Sequence, residues 1–219
     1  APIVSSRRSE QRNEMVGLVD SYFMGTLSVK ELHNALRNRA HNMTDFLTLT
    51  RRTLHRTPEL MYQEAQTSRI VQTILTNLDI NHTLGWAKNI HPKAFKGEGG
   101  HGIVADIGTG SEPCVLLRAD MDALPIFERT EGIDSFKSRN DGTMHACGHD
   151  GHTTMLLGAA SILKEMEEHI PGTVRIMFQP AEEGGAGAKR MREEGVLEIS
   201  PKPSYAFGMH VWPNLPSGS

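Results

Sequence analysis

The chain has 219 residues, 38% of them hydrophobic and 22% charged, with 23 basic against 26 acidic side chains. That balance excludes a collagen-like, low-complexity or wholly disordered chain, and a net charge of −3 supplies no basic field for nucleic acid. No run of about 18 apolar residues exists, so no segment reads as a membrane-spanning helix. At roughly 150 residues per domain the length corresponds to about one and a half domains.

Residues 1–14 are polar and read as a mobile arm, with Arg7, Arg8 and Arg12 on a solvated tail. Met15 to Arg39 reads as two short helices, the second capped by Thr26 or Ser28. Thr44 precedes an amphipathic helix with Phe46, Leu47, Leu49 and Leu54. That helix ends before Thr57-Pro58, because the residue before proline resists the α region. Residues 63–78 carry the clearest long helical pattern, with Ile70, Val71, Ile74, Leu75 and Leu78 on one face. Residues 85–101, rich in Gly, Lys and His, read as a loop, and Gly97–Gly100 lacks the spacing of a phosphate-binding loop.

Strand patterns follow. Gly102–Ile107 is short and apolar, and Cys114–Leu117 is a continuous apolar run of the kind buried on both faces. Residues 127–143 are polar and read as loop or edge structure. His152–Met166 reads as a helix, Thr173–Phe178 as a strand, 186–194 as a short helix stopped by Gly195, and Tyr205–Met209 as a last strand. Strands alternating with helices predict an α/β layered fold.

Chemistry collects where the strands end. Cys114–Leu117 runs into Arg118-Ala119-Asp120-Met121-Asp122, Thr173–Phe178 into Gln179-Pro180-Ala181-Glu182-Glu183, and Tyr205–Met209 into His210. In open α/β sheets the carboxyl ends of strands line the binding crevice. The densest segment is Met144–His152, which holds His145, Cys147, His149, Asp150 and His152. Cys147 and His149 stand as Cys-x-His around Gly148, and thiolate with imidazole suits zinc-like ions. Asp150 is a candidate to hold a ligating imidazole by its other nitrogen. Of the adjacent Glu182 and Glu183, one can bind metal while the other keeps a free carboxylate for proton transfer. Of the two cysteines, Cys114 lies within a strand and reads as core.

These blocks resemble the amidohydrolase branch of the dinuclear metallopeptidases, the hippurate hydrolases, aminoacylases and plant indole-3-acetyl-amino-acid hydrolases. The matching residues are Arg51-Arg52, Leu54-His55, Pro58-Glu59, Glu64 and Thr67, then Leu117–Pro125, Met144–His152 with Leu156–Ala160, Phe178–Gly184 and Gly208–Val211. They span about residues 45–213, so residues 1–43 form an arm and helices outside the motifs, and 44–219 the N-terminal portion of a catalytic domain. The resemblance implies a zinc-exopeptidase-like domain with a central mixed sheet flanked by helices, ending before a lid domain through which relatives dimerise. It implies two divalent ions, manganese or zinc. Cys147, His149, Glu183 and His210 match the metal ligands, Glu182 the general base, and Asp120 a supporting carboxylate. Arg118 stands where the broader superfamily has a ligating His. Asp122, His145, Asp150 and His152 take orienting or substrate-contact roles.

The implied activity is hydrolysis of the amide bond of N-acyl amino acids, small-molecule substrates, without nucleic acid or membrane partners. The alternatives are a shortened, non-catalytic metal-binding relative, or a dipeptidase or carboxypeptidase of the same superfamily. The first apolar stretch is too short and polar for a signal peptide, so the sequence leaves the compartment open.

Overall fold

The computed structural model describes the backbone of residues 2–216 and side chains over residues 10–216. Five strands form one mixed sheet in the order β1-β2-β4-β3-β5: β1 (His82–Lys88), β2 (Gly99–Gly108), β3 (Cys114–Asp120), β4 (Thr173–Gln179) and β5 (Pro203–Gly208). β2 runs antiparallel to β1 and β4, whereas β3, β4 and β5 are mutually parallel, so their carboxyl ends reach the same edge.

The apolar runs of the inner strands follow from burial on both faces. Ile103, Ala105, Ile107, Ile176 and Phe178 point to one side, where they pack with Val71 and Leu75 of α4 (Ala65–Asn77) and Leu156, Leu157 and Ala160 of α5 (His149–Glu165). Val104, Leu116 and Met177 point to the other, against Ala87 of β1, Met191 of α6 (Gly187–Glu193) and Val196. This alternation is the two-residue period of a strand read out on two helical layers. β5 is an edge strand, and Tyr205 and Phe207 remain exposed.

The other helices are α1 (Pro2–Phe23), α2 (Val29–His41) and α3 (Thr44–Arg56). Ser28 caps α2 in a reciprocal box: its hydroxyl accepts the Glu31 N–H at 3.3 Å while the Glu31 carboxylate accepts the Ser28 N–H at 2.8 Å. α2 is tied to α5 by an Arg39–Glu165 ion pair with Nε–Oε2 at 2.8 Å.

Two expectations are corrected. Residues 2–14 form the start of α1 rather than an arm. They carry no apolar stripe, so their helicity escapes a periodicity argument; the buried pair Met15 and Val19, four residues apart, anchors the helix. Residues 85–101 are not all loop, because β1 covers His82–Lys88 and β2 begins at Gly99. β1 is an irregular edge strand whose register shifts on either side of Trp86, and such bulges erase the alternation a sequence reading needs.

Candidate metal centre

α5 begins at His149, one turn earlier than the pattern suggested. Gly148 precedes it with φ +81°, a conformation that glycine adopts without steric cost. The tight turn swings Cys147 and His149 together towards the carboxyl ends of β3, β4 and β5.

Two groups of potential ligand atoms result, each with its atoms within 4.8 Å of one another: Cys147, His149 and Glu183, and Asp120, His149, His152 and His210. The imidazoles are oriented for ligation. His149 Nδ1 lies 3.3 Å from Asp122 Oδ1, leaving Nε2 buried and without a hydrogen-bond partner. His210 Nδ1 donates to the Val211 carbonyl at 2.6 Å, and its Nε2 faces Cys147 Sγ at 3.4 Å. Ligating histidines are characteristically held in this way by their second nitrogen. Glu183 Oε1 is also buried and unpartnered, 3.8 Å from His149 Nε2. Asp120 Oδ2 at 3.6 Å and Glu182 Oε2 at 3.9 Å also approach Nε2, so three carboxylates converge on a buried nitrogen without a hydrogen bond, an arrangement that a cation stabilises. The donor set therefore fits a metal.

The carboxylates sort by their partners. Asp122 receives the Glu183 N–H on Oδ2 at 2.9 Å while Oδ1 faces His149, so one side chain orients two candidate ligands. Asp120 is fully buried between Arg118 Nη1 and His152 Nδ1, both at 2.7 Å. His152 Nε2 accepts the Val211 N–H at 3.0 Å, so Nδ1 carries the proton that Asp120 receives. Burial pushes the Asp120 carboxyl up, but the hydrogen bond from His152 and the charges of His149 and Arg118 outweigh it and hold the carboxyl below its usual range. Of the carboxylates at the site Glu182 is the most open, 40% exposed, with Oε2 3.9 Å from His149 Nε2. Burial pushes the Cys147 thiol up to about 12, and the charges of Glu183, Glu182 and Asp120 add to it. A bound cation reverses that balance and favours the thiolate.

The structure redirects three residues. Asp150 does not hold a candidate ligand: it bonds His55 Nδ1 at 2.8 Å and Arg51 at 3.3 Å, and Asp122 takes the orienting role. Arg118 bonds Gln179 Oε1 and Asp120, both at 2.7 Å, as a counter-charge at the end of β3. His145 is buried beside His55, with both ring nitrogens unpartnered, and burial lowers it to about 4, so it stays neutral. Glu128, which accepts from His55 Nε2 at 2.8 Å, had no local signature, and Glu64, a residue of the matching motifs to which no role was assigned, grips the Ala181 turn.

Residues 116–219 match the sequence profile of peptidase family M20/M25/M40. IAA-amino acid hydrolase ILR1-like 5 of Arabidopsis thaliana is 50% identical over 167 residues, 76% of this chain and 34% of that protein. N-acetyl-L-cysteine deacetylase of Bacillus subtilis is 42% identical over 170 residues, 77% of this chain and 37% of that protein. Among solved structures, a Bacillus subtilis dinuclear metal-binding peptidase of the M20 family superposes with a TM-score of 0.67 at 40% identity, covering 80% of this chain and 45% of that one. The chain thus spans a third to a half of the length of these relatives. The profile match over residues 116–219, the identity to named hydrolases and the shared mixed-sheet fold agree that the chain resembles the N-terminal part of peptidase family M20/M25/M40.

Proposed function

We propose that this chain carries the metal-binding half-site of an amidohydrolase that cleaves the amide bond of N-acyl amino acids. The observation that carries the reading is the pair of orphaned donors, His149 Nε2 and Glu183 Oε1, flanked by Cys147 and His210 and overlooked by the open carboxylate of Glu182. The hydrolase and deacetylase names of its relatives support the same substrate class.

Cys147, His149, Glu183 and His210 are the ligands in this reading, with Asp122 orienting His149 and Glu183. Two divalent ions bound there supply a Lewis acid and a lowered pKa for water. The mixture of thiolate, imidazole and carboxylate serves both zinc and manganese. Glu182 takes a proton from the attacking water and returns it to the leaving amine, a role suited to its exposed carboxylate beside His149. Asp120, paired with the charge of Arg118 and hydrogen-bonded by His152, supports the site electrostatically rather than as a base.

The test uses Glu182→Gln in the protein that contains this chain, with a panel of N-acetylated, N-benzoylated and indole-acetylated amino acids. Removing a general base costs about 10²–10⁴ in rate. The expected result is loss of turnover on that scale with metal content unchanged. Retained turnover refutes the base assignment, and cleavage of dipeptides alone refutes the substrate class.

A further inference from the structure

The turn that presents Glu182 and Glu183 is gripped from behind by a segment far away in sequence. Glu64 Oε1 accepts the Ala181 N–H at 2.8 Å and the Tyr62 N–H at 3.0 Å. The Tyr62 hydroxyl donates to the Gly185 carbonyl, and the Gly187 N–H closes the turn on the Ala181 carbonyl at 2.9 Å. Glu64 and Ala181 are fully buried and Tyr62 nearly so. Both gripped residues sit in the left-handed region, Tyr62 at φ +63° and Ala181 at φ +54°, which a residue with a side chain holds only when its surroundings impose it. The packing leaves no slack: a Cβ on Gly185 would meet Ala181 Cβ at 2.7 Å, and one on Gly187 would meet the Pro180 carbonyl at 1.8 Å.

We propose that Glu64 is a positioning residue of the metal centre, which fixes the Pro180–Gly187 turn so that Glu183 faces His149 and Cys147 while Glu182 stays open. The inference rests on the metal-hydrolase reading above. Glu64 touches no candidate ligand and acts through the backbone of Ala181. The geometry asks for one oxygen that accepts two amide protons, not for a charge. Burial, with Asp122 adding to it, raises the Glu64 carboxyl to about 8, so near neutral pH the side chain is the uncharged acid. Glutamine is its uncharged counterpart and keeps the accepting oxygen.

The experiment compares Glu64→Gln and Glu64→Ala with the unmutated sequence in the protein that contains this chain. Zinc affinity is measured by calorimetry, and the thiolate-to-metal absorption band is read with cobalt as the spectroscopic probe. Glu64→Gln is expected to bind zinc within about threefold of the parent and to keep the cobalt band. Glu64→Ala is expected to lose tenfold or more in affinity and to change the band, with the Ala181 and Gly187 amides exchanging at least tenfold faster while the β2–β4 ladder stays protected. A folded Glu64→Ala chain with unchanged affinity and band overturns the proposal. If Glu64→Ala does not fold, Tyr62→Phe removes only the contact to Gly185; a loss of threefold or more supports the clamp, and no loss overturns it. Failure of the unmutated protein to bind either metal instead refutes the metal-centre reading, and unchanged amide exchange in Glu64→Ala then overturns the clamp by itself.

Discussion

Asp106 and Arg175 face each other directly across the antiparallel β2–β4 pair, and they offer an asymmetric test of how this sheet is held. Arg175 is fully buried, with Nε and Nη2 each 2.8 Å from the two Asp106 oxygens and Nη1 3.0 Å from the Ile199 carbonyl. The Asp106 side chain, by contrast, is 39% exposed. Removing the acid strands a guanidinium in the interior, which costs about 3–5 kcal/mol when a buried pair is broken. Because water reaches one side of this pair, the lower end, about 3 kcal/mol, applies to Asp106→Ala. Arg175→Met leaves a carboxylate that water can solvate and fills most of the volume, so about 1–2 kcal/mol is expected, chiefly for the lost hydrogen bonds. The double variant is expected to resemble Arg175→Met, a coupling of about 3 kcal/mol. Urea unfolding monitored by circular dichroism reads these differences; at about 2–4 °C per kcal/mol for a chain of this size, Asp106→Ala lowers Tm by about 6–12 °C. The reasoning is refuted if Arg175→Met proves the more damaging change, or if the two losses simply add.

Three further outcomes are expected. The folded chain holds a proton on Glu64 up to about 8, whereas an unfolded glutamate loses it near 4.5. Stability therefore falls as pH rises between those values, by a few kcal/mol at most, and Glu64→Gln flattens that slope in urea titrations; an equal slope in both chains contradicts it. Cys147→Ala removes the thiolate from the Cys147–His149–Glu183 group, and elemental analysis after zinc loading and desalting is expected to show reduced occupancy. Ser28→Ala opens the capping box of α2 and is expected to cost about 1 kcal/mol in thermal unfolding, with Glu31→Ala costing less because the hydroxyl still accepts an amide proton.

The helices 44–56 and 65–77 and the inner strands were legible because their apolar residues recur at the period of the element that buries them. The first half of α1 and the edge strand β1 were not, since a polar helix and a bulged strand carry no such period. At the site, Cys147, His149, Glu182, Glu183 and His210 were nameable as donor types clustered at strand ends, and the structure gathers them. The supporting residues were assigned less well. Asp150, next to His149 in sequence, turns away to His55, and Asp122, 27 positions distant, takes the place expected of it.

Sequence alone determined most element types, the family motifs and the chemical identity of the candidate donors, because each depends on local pattern and side-chain chemistry. Tertiary structure decided which carboxylate orients which ligand, and which one holds the backbone. Glu64 and Ala181 are 117 residues apart, and a buried acid at that position is indistinguishable in sequence from one on a solvated helix. Their meeting follows from long-range pairing: Leu60, just before Glu64, bridges Ala123 beyond the end of β3, and β4, parallel to β3, delivers Ala181 to the same edge. No local periodicity encodes that arrangement, because it arises from how the strands pair rather than from any one of them.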